Sequence, residues 1–460
     1  MNKFPLLSKT LIIGFLMILL AIPLEMVSGV IRERTMNRAQ ATTDVARAHA
    51  GAQTLVGPVL HVPFTETFKR TVVVDVEKRT QREDTVVVPR VLTVFPQNAD
   101  TRSRLTTETR WRGIFPVTVY TSHHETAGRF VWPGITPKEA GGEIKLGQPF
   151  VTMGVSDLRG LQSAPVLKLG GRTLAVSASP AGQGLPLPLA ATLDVAQLVV
   201  NAPLDFTLAL DLAGTGKIAW VPLADDNRFS LSSPWPHPSF GGDFLPRERE
   251  VADGGFTANW SVPSLSTQAQ QQFLAQSHEK GVRMDQLLVS LENPVDVYRL
   301  SDRATKYGMM FIVLTFAAFF VLEIVKRWRI HPMQYLMIGA ALVLFFLLLL
   351  SLSEHMGFAA AYAIASAACI GLLSHYLRHV LGSWRAGLGM SGMLVALYGV
   401  LYGILVSEDN ALMMGSLLLF GVLAAIMTAT RKLDWYGVMR SEAKSVASPA
   451  AHGDVPNAEV

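Results

Sequence analysis

Hydrophobic residues in this chain are gathered into long runs, separated by one long segment of mixed polarity. A helix needs about 20 apolar residues to cross the roughly 30 Å hydrocarbon layer of a membrane. Six runs approach or reach this length, so the pattern predicts six transmembrane helices. They lie at 11–30, 307–325, 335–352, 357–377, 387–406 and 411–429.

Small residues recur at every fourth position in two of these runs. Ala363, Ala367 and Gly371 lie in the fourth run, and Gly399 and Gly403 in the fifth. This spacing lets transmembrane helices approach one another closely. We therefore expect these small residues to face neighbouring helices.

The distribution of Lys and Arg predicts how the spans are oriented. The short connections 353–356 and 407–410 contain neither residue, whereas both ends of the chain and the alternate connections do. Because cytoplasmic loops are enriched in basic residues, both termini are expected in the cytoplasm. The predicted domains are a cytoplasmic N-terminus (1–10), a first span (11–30), a periplasmic domain (31–306), a five-helix transmembrane domain (307–429) and a cytoplasmic tail (430–460), disordered at its end.

The first span resembles a signal peptide in its basic start and apolar middle. Val27-Ser28-Gly29 is a poor cleavage site, however, because it lacks the A-x-A pattern that signal peptidases recognise. We therefore favour an uncleaved anchor, with a cleaved signal peptide as the alternative.

The segment between the first two spans has a residue pattern typical of β proteins. Short β-branched runs alternate with glycine-containing turns such as Gly170-Gly171 and Asp253-Gly254-Gly255. We predict an all-β or mainly β domain of antiparallel sheets, either a sandwich or a partly closed barrel. A charged helix over 32–52, a second helix over 266–281 and an irregular loop over 178–188 accompany it. The predicted strands are 59–64, 71–76, 85–88, 92–95, 116–121, 150–155, 206–212, 217–221 and 256–262.

Composition excludes a purely soluble enzyme. Half of the 460 residues are hydrophobic and only 17% are charged. Within 32–306 there are 29 basic and 27 acidic residues, so the slight basic excess reflects loop orientation and indicates no nucleic-acid partner. The single cysteine, Cys369, excludes an intrachain disulfide and suits a bacterial protein.

No recognisable catalytic, cofactor-binding or metal-binding motif is present, and none is predicted. His123 and His124 are adjacent, so in a strand they point to opposite faces. His61 and His237 are isolated in the sequence. We therefore interpret these histidines as packed or surface residues.

Three ionisable residues fall near the ends of predicted spans, namely Glu25, Glu323 and His375. Solvation at the membrane interface accounts for each of them, and Glu323 is expected to pair with Lys326 and Arg327. No acidic residue lies at a predicted bilayer midplane, which argues against a proton-driven transporter.

Two motifs supply a candidate functional surface. Residues 235–246 (WPHPSFGGDFLP) are too rich in aromatic, Pro and Gly residues for a strand, so we predict a fixed loop. Its aromatic residues either close one end of the sheet core or bind a partner or sugar. In 300–307, Asp302 can pair with Lys306 at the start of the second span. The candidate residues are Trp235, His237, Phe240, Asp243, Asp302, Arg303, Glu354 and His355.

At these motifs the chain resembles the CreD family of bacterial inner-membrane proteins. The resemblance rests on the 235–246 motif and on 301–307 (SDRATKY), 331–335 (HPMQY) and 353–358 (SEHMGF). It continues in Leu55-Val56-Gly57-Pro58, Thr430-Arg431 and Asp434-Trp435-Tyr436. The family is named for cell-envelope integrity, is expressed under the CreBC two-component system, is linked to colicin tolerance and β-lactam stress, and has no established catalytic residues.

The resemblance and the topology together lead to the hypothesis of a non-enzymatic envelope protein. Its partners would be the lipid bilayer and periplasmic or envelope proteins or peptidoglycan. The alternative is a transporter or membrane-embedded enzyme acting on an envelope lipid or glycan. In that case Glu354, His355 and the 235–246 motif would lie near its site.

Overall fold

The computed structural model of the chain forms two compact units. The helical unit comprises residues 1–37 and 295–460, and the β unit comprises residues 38–294. The structure describes 5–75, 80–178, 187–276, 283–291, 296–326, 330–381, 384–407 and 410–431. The predicted tail beyond Arg431 lies outside the described residues, as does most of the predicted loop at 178–188.

Six helices of the described chain are long and apolar enough to cross a membrane, which confirms the predicted number. Two of them extend well beyond their apolar runs. The first span and the charged segment after it form one 44-residue helix, and the second helix begins ten residues before Tyr307. The six helices are α1 (Pro5–Ala48), α3 (Val297–Lys326), α4 (Pro332–Ser353), α5 (Phe358–Leu381), α6 (Trp384–Val406) and α7 (Ala411–Thr430).

Local sequence explains where α4 begins. The His331 side chain accepts a hydrogen bond from the backbone N–H of Met333, and Gln334 accepts one from the His331 N–H. Pro332 occupies the first helical position, where no backbone N–H is needed. These residues satisfy donors that a helix start otherwise leaves unpaired.

Helix α1 packs against glycines of α3 and α4. A β-carbon added to Gly339 would lie 2.1 Å from Leu20 Cδ1, and one added to Gly308 would lie 2.9 Å from Leu24 Cδ1. Only glycine leaves room for these leucines, so the two positions determine how closely α1 approaches.

The expectation for the small residues of α5 was wrong. Ala363, Ala367 and Gly371 are exposed, and nothing lies within 4 Å of a β-carbon built on Gly371 or on Gly399. The buried face of α5 instead contains Ala361 and Ala365. Of the predicted glycines, Gly403 alone approaches another helix, since a β-carbon added to it would lie 3.1 Å from Met414 Cε.

The β unit contains two large sheets in the described residues. One has nine strands and the other eight, and neither is a closed barrel. The path of the first is β14-β17-β12-β1-β6-β10-β9, with β2 and β5 also paired to β1; the second runs β15-β16-β13-β3-β4-β11-β7-β8. The strands are β1 (Gln53–Asp75), β2 (Thr80–Val94), β3 (Asn98–Arg112), β4 (Phe115–Val131), β5 (Glu143–Leu146), β6 (Phe150–Val155), β7 (Val166–Leu169), β8 (Arg172–Leu174), β9 (Val176–Ala178), β10 (Leu189–Thr192), β11 (Pro203–Thr215), β12 (Lys217–Trp220), β13 (Asp226–Ser233), β14 (Pro238–Gly242), β15 (Glu248–Ala252), β16 (Gly255–Pro263) and β17 (Leu287–Leu291).

The predicted mainly β architecture is confirmed as two sheets with a shared hydrophobic interior. Val62 and Val151 of the first sheet lie in one core cluster with Phe130 and Phe206 of the second. The prediction of purely antiparallel pairing was wrong, because β1 pairs with β12, and β13 with β3, in parallel. The short helix α2 (Ala269–Gln276) contributes Phe273 to a further cluster with Val59.

The predicted strands and turns are found, but several strands are longer than their apolar runs. The predictions at 59–64 and 71–76 fall in the single strand β1, with residue 76 outside the described part. Gly170 and Gly171, both at positive φ, form the two-residue turn between β7 and β8. The predicted helix at 266–281 begins at Ala269, and its predicted end at 277–281 lies outside the described residues.

The chain enters and leaves the β unit at one end of the first sheet. The Thr215 hydroxyl donates to the Ala50 carbonyl (2.7 Å), and the Thr215 N–H donates to Gly51 O. The Leu291 N–H donates to the carbonyl of Gly216, the next residue in that turn. One turn therefore holds both the first and the last strand of the unit.

Candidate functional site

The 235–246 motif is part of a sheet, and the prediction that it contains no strand was wrong. Pro238–Gly242 form β14, which pairs antiparallel with β17. Phe240 packs edge-on against Phe256 and Trp260, and Arg249 lies 5.8 Å from the Phe240 ring centre. The aromatic residues thus help to close the sheet core, as the first of the two interpretations proposed.

The polar residues of this motif have distinct surroundings. Asp243 accepts from the Arg283 guanidinium (3.0 Å) and from the Gln286 backbone N–H (3.0 Å), which holds the end of β14. The Trp235 indole N–H donates to the His237 carbonyl, while the His237 side chain is exposed. His237 and Asp243 are therefore the exposed members of the predicted surface in this unit, and Trp235 and Phe240 are half-buried.

The two adjacent histidines do point to opposite faces of β4, as predicted. His124 is buried, with Nδ1 2.7 Å from Ser103 Oγ and Nε2 2.8 Å from Ser122 Oγ. His123 is half exposed and lies 2.6 Å from Asp211. Its hydrogen bond to Asp211 raises the pKa of His123, whereas burial lowers the pKa of His124 to about 3.

A second buried histidine is found in the first sheet. His61 Nε2 lies 2.8 Å from Thr152 Oγ1, and its Nδ1 lies 3.3 Å from Thr93 Oγ1. Burial lowers the pKa of His61 to about 4. Both buried histidines are hence neutral near pH 7 and hydrogen-bonded to hydroxyls, as expected for packed residues.

The β unit is expected to lose stability as the pH falls from 7.5 to 4.5. An unfolded histidine titrates near pH 6.5, so the unfolded chain binds protons that folded His61 and His124 exclude. The stabilisation by each neutral histidine is complete above pH 6.5 and decreases as the pH falls below that value. At pH 4.5 the loss in the free energy of unfolding is about 2–3 kcal/mol for each histidine. Urea unfolding of the detergent-solubilised full chain, followed by tryptophan fluorescence, measures this change.

The variants His61→Gln and His124→Gln should each reduce this pH dependence. His123→Gln is the matched control, because the raised pKa of His123 contributes stability below pH 6.5 that is lost at higher pH. The control variant should therefore lose more stability at pH 5 than at pH 8. If the free energy of unfolding changed equally with pH in the wild type and all three variants, the assignment of the pH dependence to His61 and His124 would be contradicted.

Glu354 lies at the centre of a polar cluster in the helical unit. The Tyr298 hydroxyl donates to Glu354 Oε1 (3.1 Å), and Arg34 Nε lies 3.5 Å from the same oxygen. The Glu354 side chain is only 8% exposed. We call Glu354, Tyr298 and Arg34 the Glu354 cluster; it joins α1, α3 and the α4–α5 connection.

The other predicted residues of the helical unit lie on α3 or beside Glu354. Asp302 pairs with Lys306 at 2.7 Å, which confirms the predicted ion pair. Arg303 points its guanidinium at the Ser407 carbonyl (3.5 Å). His355 is exposed and bonds to the Ser351 carbonyl, so it does not join its neighbour Glu354 in one cluster.

A second polar cluster lies at the other end of α1. Lys9 pairs with Glu323 and also donates to the Ile330 carbonyl (2.7 Å). Glu323 accepts further bonds from the Tyr335 hydroxyl (2.9 Å) and the Ile330 N–H (3.1 Å). We call Lys9, Glu323 and Tyr335 the Glu323 cluster.

The interpretation of Glu323 as a solvated interfacial residue was wrong. Its side chain is buried, and its cation comes from α1 and not from the neighbouring Lys326, which is exposed. The other proposed partner, Arg327, lies outside the described residues. Glu25 is exposed and pairs with Arg32, and His375 is exposed, in keeping with solvation at an interface.

The predicted surface residues therefore belong to two separate sets. Trp235, His237, Phe240 and Asp243 belong to the β unit. Asp302, Arg303, Glu354 and His355 belong to the helical unit. The described residues contain no group of three or more His, Cys, Asp or Glu side chains that could hold a metal ion.

Sequence comparison decides the family. The family model described as "Inner membrane protein CreD" matches residues 5–436. "Inner membrane protein CreD" of Escherichia coli (strain K12) is 36% identical over 445 residues, covering 95% of each chain. The chain belongs to the CreD family. Together with the six apolar helices, this membership makes it a multi-pass inner-membrane protein.

Solved structures add nothing to this family assignment. Two structures of an M1 zinc metallopeptidase from Deinococcus radiodurans are similar to parts of this CreD-family chain. One is 9% identical, covers 43% of this chain and 42% of its own, and has a TM-score of 0.23. The other is 10% identical, covers 79% and 97%, and has a TM-score of 0.21. Both scores are too low for a shared fold.

Proposed function

We propose that this chain maintains the integrity of the cell envelope without catalysing a reaction. Its β unit would contact periplasmic or envelope proteins or peptidoglycan, and its helices would anchor that unit in the inner membrane. Expression under the CreBC stress response is part of the proposal. The observation that carries it is a large β unit inserted between the first and second helices of a six-helix CreD-family protein.

The proposed orientation places both termini in the cytoplasm and residues 31–306 in the periplasm. Its support is the presence of Lys and Arg in alternate connections of the chain. In this orientation the Glu354 cluster lies at the periplasmic face of the membrane. The Glu323 cluster lies at the cytoplasmic face.

Retention of α1 as an anchor is also proposed. Lys9 and Arg34 are 25 positions apart, which is about 38 Å along a helix and enough to cross the hydrocarbon layer. Each pairs with a carboxylate of the helical unit, Glu323 or Glu354. Removing α1 after Gly29 would separate Lys9 from Glu323.

Deletion of the gene and complementation with variants tests the proposed function. The deletion strain should show raised outer-membrane permeability and altered shape under β-lactam or detergent stress. Glu354→Gln retains an acceptor for Tyr298, so at normal protein levels it should restore at least half of the wild-type resistance. The neighbouring exposed residue provides a matched control, His355→Asn, which should restore all of it.

Two results would contradict the proposal. An unchanged envelope in the deletion strain would remove the envelope role. Complete loss of complementation by Glu354→Gln, with normal amounts of folded protein, would instead favour a membrane-embedded enzyme or transporter in which that carboxylate acts chemically.

A further inference from the structure

A large apolar groove lies between α3, α6 and α7 in the helical unit. Its volume is about 770 Å³, within the range of pockets that bind small molecules. The walls include Leu314, Leu322, Met393, Leu397, Leu418 and Ile426. Such walls offer no hydrogen bonds to water, so an apolar occupant is favoured.

Loose packing of α7 leaves this groove open. In the most apolar 18-residue stretch of α7, only 11% of the residues are buried. The corresponding stretches of the other five membrane-spanning helices are 28–56% buried. Small wall residues such as Ala318, Ala396 and Ala425 widen the gap between the three helices. The groove therefore lies within the membrane-spanning segments and is accessible from them.

The two ends of the groove differ in charge. Among the described residues of the groove wall, Lys326 alone is charged, and it lies at the end of α3. Ala429 of α7 lines the groove, and Arg431 follows two positions later, where α7 ends. The other wall residues that the structure describes are apolar or glycine. The groove thus matches a ligand with a long apolar tail and an anionic head.

We propose that this groove binds one acyl chain of an anionic phospholipid, with the phosphate beside Lys326. Basic residues between transmembrane helices favour anionic headgroups. The positive charge beside the groove is that of Lys326, whose side chain is exposed. This inference is independent of the envelope role.

Native mass spectrometry of the detergent-solubilised full chain tests the proposal. Palmitoyl-oleoyl phosphatidylglycerol should bind at least tenfold more tightly than the corresponding phosphatidylcholine. Lys326→Gln should remove most of this preference without weakening the binding of phosphatidylcholine. Ala425→Trp, or the milder Ala318→Leu, should fill the groove and weaken the binding of both lipids about tenfold.

The control is Ala367→Trp, which adds the same ring to an exposed position of α5 that does not line the groove. It should leave binding of both lipids unchanged, and thermal unfolding verifies that each variant is folded. Equal affinity for the two lipids would overturn the proposal. So would equal effects of Ala425→Trp and Ala367→Trp, since these would indicate non-specific annular lipid.

Discussion

Replacing Glu323 by alanine is expected to lower the free energy of unfolding of the helical unit by about 3 kcal/mol. Removing one partner of a buried pair leaves the other charge uncompensated, which costs about 3–5 kcal/mol. The lower end applies because the Lys9 side chain is 23% exposed. The loss also leaves the Tyr335 hydroxyl and the Ile330 N–H without this acceptor. Denaturant unfolding of the full chain in detergent micelles measures the change.

Glu25→Ala is the control for this substitution. Glu25 also forms an ion pair, but its side chain is 68% exposed and its partner Arg32 is 63% exposed. Such a pair contributes at most about 1 kcal/mol. The double variant Lys9→Met with Glu323→Leu should recover most of the stability, because matched apolar residues replace a buried ion pair well. Equal losses in Glu323→Ala and Glu25→Ala would contradict the buried pair.

Replacing Gly339 by leucine is expected to detach α1 from the bundle. Even the β-carbon would lie 2.1 Å from Leu20 Cδ1 and 3.0 Å from Phe316 Cζ. Overpacking of this kind costs typically 1–3 kcal/mol, and the larger side chain places the effect at about 3 kcal/mol. The thermal unfolding midpoint in detergent should fall clearly, and protease should cut α1 more rapidly.

Two further variants separate a steric effect from a general effect of losing glycine. Gly371→Leu adds the same side chain to an exposed position with nothing within 4 Å, so its midpoint should stay near that of the wild type. Gly339→Ala combined with Leu20→Ala should be more stable than Gly339→Ala alone. If Gly339→Leu unfolds at the wild-type midpoint, α1 does not contact α4 as described.

The helices could be predicted because membrane crossing imposes a simple requirement on sequence. The long apolar run at 335–352 has one stable arrangement in a bilayer, so α4 was found within a few residues. Strand β3 was missed because its inward face carries Thr101 and Ser103 beside Leu105. Alternation of apolar and polar residues does not reveal a strand whose buried positions are polar.

The clusters of the helical unit could be predicted only in part. The Asp302–Lys306 pair follows from helical spacing and was found. Glu323 and Lys9 are separated by more than 300 residues, and no local pattern connects them. The available signal was that an acidic residue in a transmembrane helix usually faces the protein interior and pairs there. Proximity in the sequence pointed to Lys326 instead.

Small-residue spacing identified the wrong side of α5 because it does not indicate which face meets a neighbour. Ala361 and Ala365 have the same four-residue spacing as Ala363 and Ala367 on the same helix. Only the first pair is buried. The glycines against which α1 packs, Gly308 and Gly339, lie on α3 and α4, outside the two runs in which this spacing was noted.

The central position of β1 has a consequence for the order of folding during synthesis. Residue Leu55 is made early, yet it pairs with Val155 of β6 and Trp220 of β12. Strand β12 in turn pairs with β17, which ends at Leu291. Ribosomes add about 5–20 residues per second, so β12 emerges roughly 8–33 s after Leu55 is made. The edge of β1 that β12 later occupies is therefore exposed to wrong partners until β12 emerges, and a chaperone that covers it would improve the yield of native protein.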